Sequence, residues 1–302
     1  MTTKPFRFGV VVGNAPSPDA WVARARRIEE LGYATLLMPD RLVGPILSPL
    51  PALSVAAAVT TRLRVGTFVL AAGLRNPVVL AREVATLDFL SGGRFELGLG
   101  AGVGEVDFRQ AGVPFGRPGA RIDRVAETLR VVKGLLGGQR VTSFGTSYAV
   151  DGAEVFPRPA RRPSILVAAG GRRMIELAAR EADVIALGVD PRQGESALAE
   201  RVEWARSVAG DRLPEVELSL NLVAVLPPEG PPPSVRSRVL AIFGVELAEL
   251  AKAGSAFVLT GDTAAVCDQL EGLRERLGVS YVTVADDTAE PFAQVVARLA
   301  GR

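Results

Sequence analysis

The chain is a repeat built from two hydrophobic periods. Short apolar runs rich in Val, Leu and Phe alternate with longer segments whose apolar residues recur at helical spacing. A continuous apolar run suits a strand buried on both faces, and a helix with one apolar stripe must lay that stripe on something. Their alternation therefore builds a parallel sheet covered by helices. The runs are Phe6–Val12, Ala34–Pro39, Leu63–Leu70, Phe95–Gly100, Ser164–Ala169, Asp183–Leu187, Glu217–Leu226 and Ser280–Ala285. Helices follow, clearest at Asp19–Leu31, Pro77–Leu90, Ala120–Leu136, Arg172–Glu181, Glu195–Ala209, Thr263–Leu277 and Pro291–Leu299. Pro77 and Pro291 stand where a helix start tolerates proline, and Asp262 stands as an N-cap. Eight βα units predict an α/β fold closed as a (β/α)8 TIM barrel, with an open doubly wound sheet as the alternative. A length of 302 residues suits one such barrel, so a single domain over 1–302 is expected.

Three segments interrupt the repeat, placing insertions after strand four, before strand five and after strand seven. Ala101–Gly119 is glycine-rich and predicts an active-site loop. Gly137–Pro163 predicts a short hairpin pairing Tyr148-Ala149-Val150 with Glu154-Val155-Phe156. Pro227–Gly261 opens on PPEGPPP and then turns helical. Strand pattern resumes after each segment, which marks them as lids or hinges within a domain.

Composition removes several function classes. The net charge is +2, and the basic residues are scattered without forming a run or stripe, so nucleic acid is not an expected partner. Cys267 is the only cysteine, which excludes an intrachain disulfide; at an apolar position within a helix it reads as a core thiol. Trp21 and Trp204 lie on helices and are expected to pack on the sheet. The opening MTTKPFRFGVVVG lacks a leader's apolar run, and no later stretch is long enough to cross a membrane, so a cytoplasmic location is expected. Histidine is absent altogether. That excludes Ser-His-Asp and Cys-His catalysis, imidazole acid-base work and His-ligated zinc; no metal site is expected.

The densest motif runs from the strand Leu63–Leu70 through Arg75-Asn76-Pro77 to LAREVATLDFLSGGRFELGLGAG, ending at Gly102. Its glycines at 98, 100 and 102 do not match the spacing of a dinucleotide fingerprint. In a strand, missing side chains let another group approach the backbone, either a flat ring or the sheet's own packing layers. In Val167-Ala168-Ala169-Gly170-Gly171-Arg172-Arg173-Met174 a strand runs through a glycine pair into a helix. Free N–H groups there suit a phosphate, and an ordinary glycine turn has the same pattern. Asp40 and Arg41 end the second strand, and Glu105 follows the glycine loop; each is a candidate acid, base or anion-binding group, or else a solvated charge.

These stretches, GTFVL, RNP, LAREVATLDFLSGGRFELGLGAG and AAGGRRMIELAAREAD, resemble the luciferase-like flavin-dependent oxidoreductases, most closely the branch that uses the deazaflavin coenzyme F420. The resemblance covers nearly the whole chain. It implies a flavin-type ring at the end of strand three against a non-proline cis peptide, here Phe68–Val69. It also implies Gly100, Ala101 and Gly102 beside the ring, and Ala169, Gly170, Gly171 and Arg172 at the cofactor phosphate. Many relatives carry Asp-His at the end of strand two where this chain has Asp40-Arg41, so proton transfer falls to Asp40 or Glu105, while Arg41 can stabilise an anion. Hydride transfer between F420 and a small organic substrate is the implied reaction, in a homodimer. An FMN-dependent monooxygenase and a ligand-binding barrel without turnover are the alternatives.

Overall fold

The computed structural model describes residues 4–302; Met1–Thr3, part of the opening read above for a leader, lie outside them. In chain order the elements begin β1 (Arg7–Val11), α1 (Pro18–Glu30), β2 (Thr35–Met38), α2 (Pro49–Ala58), β3 (Arg64–Thr67), β4 (Leu70–Ala71), α3 (Pro77–Leu90) and β5 (Phe95–Gly100). They continue with α4 (Glu105–Gln110), α5 (Pro118–Leu136), β6 (Val141–Phe144), β7 (Ala149–Ala153), β8 (Ser164–Ala169), α6 (Arg172–Glu181), β9 (Val184–Leu187) and α7 (Glu195–Ala209). The last third holds β10 (Glu217–Asn221), β11 (Ala224–Leu226), α8 (Pro233–Phe243), α9 (Leu247–Lys252), β12 (Val258–Thr260), α10 (Thr263–Leu277), β13 (Val279–Ala285) and α11 (Ala289–Leu299). The strand–helix alternation is that of a (β/α)8 barrel, its eight strands being β1, β2, β3, β5, β8, β9, β10 and β13.

Contacts divide the chain into two units interleaved in sequence. One comprises the chain up to Val12, Arg27–Leu36 and Ala169–Arg302; the other comprises Gly13–Arg26 and Leu37–Ala168. In the first unit β1 pairs in parallel with β13, β13 with β10, and β10 with β9. Burial follows the apolar runs: Val279, Tyr281, Val282 and Val284 of β13 are each at most 1% exposed, as a strand covered on both faces requires. The expected run Glu217–Leu226 is in fact two strands. The chain leaves the main sheet after Asn221, and β11 pairs instead with β12, a strand the sequence did not announce. Asp262 caps α10 as expected, accepting from the Ala265 N–H at 2.9 Å.

In the second unit β5 pairs in parallel with β3, β4 and β8. The SGGR turn before β5 ends α3, with Gly92 and Gly93 both at positive φ, a conformation open to glycine at no steric cost. Arg94 then fans its guanidinium over the carbonyls of Leu63 at 2.6 Å and Ala57 at 2.8 Å, while its Nε donates to Ser91 O at 2.7 Å. Its role in the motif is to tie the start of β5 to α2 and β3. The hairpin sits earlier than the expected pairing: β6 and β7 join Val141–Phe144 to Ala149–Ala153, and Glu154–Phe156 follows the hairpin. The physical reason lies on α5, where Glu127 accepts from the Thr146, Ser147 and Tyr148 N–H groups at 2.9, 2.9 and 3.2 Å and fixes the turn there. Trp21 on α1 is buried and donates to Ala52 O at 2.9 Å.

Candidate functional site

The expected run Leu63–Leu70 breaks at Phe68–Val69, and this break builds the candidate site. Gly66 pairs with Glu96, and pairing resumes at Leu70 with Leu99, so four steps on one strand match three on the other. One extra residue makes this a β-bulge. The Phe68–Val69 peptide within it is cis, as the resemblance implies. Where the backbone ladder lapses, the buried Thr67 hydroxyl replaces it, accepting from Gly98 N–H at 2.8 Å and donating to Gly98 O at 2.9 Å.

The glycines of β5 fit this bulge. A Cβ at Gly98 would stand 1.9 Å from the Thr67 carbonyl oxygen, and one at Gly100 would stand 2.7 Å from Val69 Cγ2. The space that missing side chains leave here is filled by the protein's own bulge, with Val69 half-buried at its crest. Gly102, at φ +79°, would bring a Cβ to 2.6 Å from the Phe108 ring, so that residue too is shaped by packing. Ala101 between them is half-buried.

Asp40 and Arg41 leave β2 beside the bulge, and each finds a different partner. Asp40 is buried and gripped by Arg75 through both oxygens, one at 2.9 Å, while the Ala71 N–H donates to it at 3.1 Å. The RNP motif thus divides its labour. Arg75 holds the Asp40 carboxylate, Asn76 caps α3 by accepting from Val78 N–H at 2.9 Å, and Pro77 starts the helix. Tyr148 adds a hydroxyl that lies 3.1 Å from Ala72 O and 3.2 Å from Arg75 O, with burial pushing its pKa up.

Arg41 donates through Nε to Asp107 at 2.8 Å. The same carboxylate accepts from the Leu42 and Val43 N–H groups at 2.8 and 3.2 Å. Burial pushes the Asp107 pKa up, but these three donors and the Arg41 charge outweigh it and hold the carboxylate below its ordinary value. The glycine-rich insertion is therefore partly helical: Glu105 opens α4 and is exposed, while Asp107, two residues on, turns inward. Sequence reasoning missed Asp107, Arg75 and Tyr148. Asp107 lies beside buried Phe108 in the middle of α4, and no helical spacing in the sequence singled it out.

Ala169, Gly170, Gly171 and Arg172 belong to the other unit. A Cβ at Gly170 would stand 2.7 Å from Gly188 O, so glycine lets the ends of β8 and β9 close up. Gly171 precedes the ten-residue α6 with no side-chain cap and nothing within 4 Å of a Cβ built there. A helix start with no side-chain cap and with space beside Gly171 fits an anion such as a phosphate. Arg172 beside them is exposed and bonded to Glu176 at 2.9 Å. This unit also holds a cavity of about 580 Å³ between the proline-rich segment and α10 and α11, lined by Pro227, Pro232, Asp262, Asp287 and Phe292 among others. Of its lining carboxylates, Asp262 serves as a cap and Asp287 pairs with Arg238 at 2.9 Å, while Glu229 lies on the proline-rich side; no expected site residue lines it.

Among the described residues no helix is long and apolar enough to cross a membrane. The chain is 31% identical over 237 residues to an F420-dependent glucose-6-phosphate dehydrogenase of Microbacterium testaceum (strain StLB037), covering 72% of this chain and 70% of that one. Its fold matches the coenzyme F420 dependent tetrahydromethanopterin reductase from Methanopyrus kandleri with a TM-score of 0.77 at 22% identity, over 98% of this chain and 99% of the other. An EDTA monooxygenase from Chelativorans sp. BNC1 matches with a TM-score of 0.78 at 16% identity, over 98% and 93%. The model of the family described as luciferase-like monooxygenase matches residues 2–229, three quarters of the sequence and the whole stretch from β1 through the bulge and the α6 turn. The chain belongs to the luciferase-like monooxygenase family and has its (β/α)8-barrel oxidoreductase fold.

Proposed function

We propose that this chain is an F420-dependent oxidoreductase that passes a hydride between the deazaflavin and a small organic substrate. The observation that carries the reading is the one-residue bulge at Phe68–Val69, seated in the glycines of β5 at the position where the resemblance expects a ring. The relative named as an F420-dependent glucose-6-phosphate dehydrogenase supports the same cofactor. Bound F420 supplies a two-electron hydride donor or acceptor. The protein's share is to position two flat partners and balance developing charge. In this reading Phe68 and Val69 back the ring, and Gly100, Ala101 and Gly102 border it. The helix start at Gly171, with Ala169, Gly170 and Arg172, takes a phosphate.

The bidentate Arg75 grip leaves Asp40 a holder of the bulge's far end, so it serves the site through position. Glu105, exposed at the start of α4, is left as the acid or base in this reading. A cytoplasmic homodimer is the expected form. The likeness to the EDTA monooxygenase supports a second reading, an FMN-dependent monooxygenase. Fluorescence titration of the purified protein with F420 and with FMN separates them. Saturable F420 binding with oxygen-independent turnover is expected; FMN binding with oxygen-dependent hydroxylation would overturn the deazaflavin assignment.

A further inference from the structure

Arg41 is fixed at one corner and open at the others. Its Nε donates to Asp107, and its terminal amino groups have no bonded partner among the described residues. The Arg41 side chain is 40% exposed, whereas that of Asp107 is 5% exposed. The anchor itself is immobilised, because Asp107 also accepts the Leu42 and Val43 N–H groups. Its negative charge is thus satisfied by donors on one side, and the guanidinium presents its remaining edge outward. Two parallel N–H groups on that edge match the two oxygens of a carboxylate.

Apolar side chains are exposed on both segments, with the exposed Glu105 between Val103 and Val106. The two segments that the Arg41–Asp107 pair ties together expose Leu42 at 49%, Val43 at 39%, Leu47 at 39%, Val103 at 87% and Val106 at 38%. Aliphatic side chains left this open on the segments that an oriented cation joins suit a ligand with an anionic head and an apolar body.

We propose that Arg41, oriented by Asp107, is a specificity-determining residue that receives the carboxylate of an amphipathic organic acid whose apolar body lies on Leu42, Val43, Leu47, Val103 and Val106. The proposal rests on the oxidoreductase reading and names the substrate class of that site. Asp107 is a positioning residue in it, acting through Arg41.

Isothermal titration of the protein with octanoate and with octanamide, with and without F420, tests it. Wild type is expected to bind octanoate about tenfold or more tightly than octanamide, as a charge-assisted hydrogen-bond pair implies. Arg41→Gln should abolish that preference while octanamide binding and F420 affinity stay unchanged, and Arg41→Lys should restore part of it. Asp107→Asn should weaken octanoate alone, and Asp107→Glu should recover it. Equal binding of the two probes by wild type, or a preference that survives Arg41→Gln, overturns the proposal. So does an Arg41→Gln variant that loses F420 affinity and keeps the octanoate preference, since the guanidinium then serves the cofactor. Failure of wild type to bind F420 would instead overturn the cofactor reading, and the probe contrast in the unloaded protein would still decide the role of Arg41.

Discussion

At the scale of single residues, the site is governed by contacts too close for a side chain and by carboxylates with several donors. Gly98 lies where a Cβ would overlap the Thr67 carbonyl, and neither backbone can move without breaking the bulge. Gly98→Ala is therefore expected to destabilise the protein by about 3 kcal/mol or more, read as a lower urea midpoint. Gly171→Ala, with open space around it, should leave that midpoint nearly unchanged. Asp107 gives a pH dependence of definite sign. Its folded pKa is depressed, so its stabilisation is fully present above the unfolded value of about 3.9 and is lost as pH falls through the folded value. Unfolding measured from pH 7 to pH 2 should show Asp107→Asn losing less stability on acidification than wild type, because the variant has already lost that contribution.

At the scale of elements, two side chains join segments that no local propensity would bring together. Arg75 at the start of α3 holds Asp40 at the end of β2, and Arg75→Gln leaves a buried carboxylate without its cation. A loss of about 3 kcal/mol is expected from breaking such a pair, with weaker F420 binding in the fluorescence titration because the bulge loses its support. Glu127 on α5 gathers the turn between β6 and β7. Its pKa is held below the ordinary value: burial opposes this, and the Thr146 hydroxyl with the N–H groups of Ser147, Thr146 and Tyr148 prevails. Glu127→Ala should leave global unfolding nearly unchanged, since the hairpin is largely exposed, but should raise amide hydrogen exchange across 141–153. Unaltered exchange there would show that the hairpin forms without the carboxylate.

At the scale of the whole molecule, Cys267 offers a probe. Cys267 is 7% exposed on α10, and burial pushes its thiol pKa up. Labelling by a disulfide reagent at neutral pH should be slow in the native protein and should accelerate in denaturant along the same curve as the circular dichroism signal. Fast labelling without denaturant would mean that α10 opens locally. The strand–helix order was legible because burial on two faces and burial on one stripe write different periods into a chain. The helix starts at Pro77 and Thr263 were legible because caps are local chemistry. The bulge register, the partnering of Asp40 with Arg75 and of Arg41 with Asp107, and the β11–β12 pairing were not legible. Each joins residues dozens of positions apart, and a residue's type records what it can bond without recording which distant group arrives. Fold class was readable from the chain alone, since hydrophobic periodicity and local sterics carry it. The pairing of Asp40 with Arg75 and of Arg41 with Asp107 emerged only on folding, because each joins segments that the chain keeps apart.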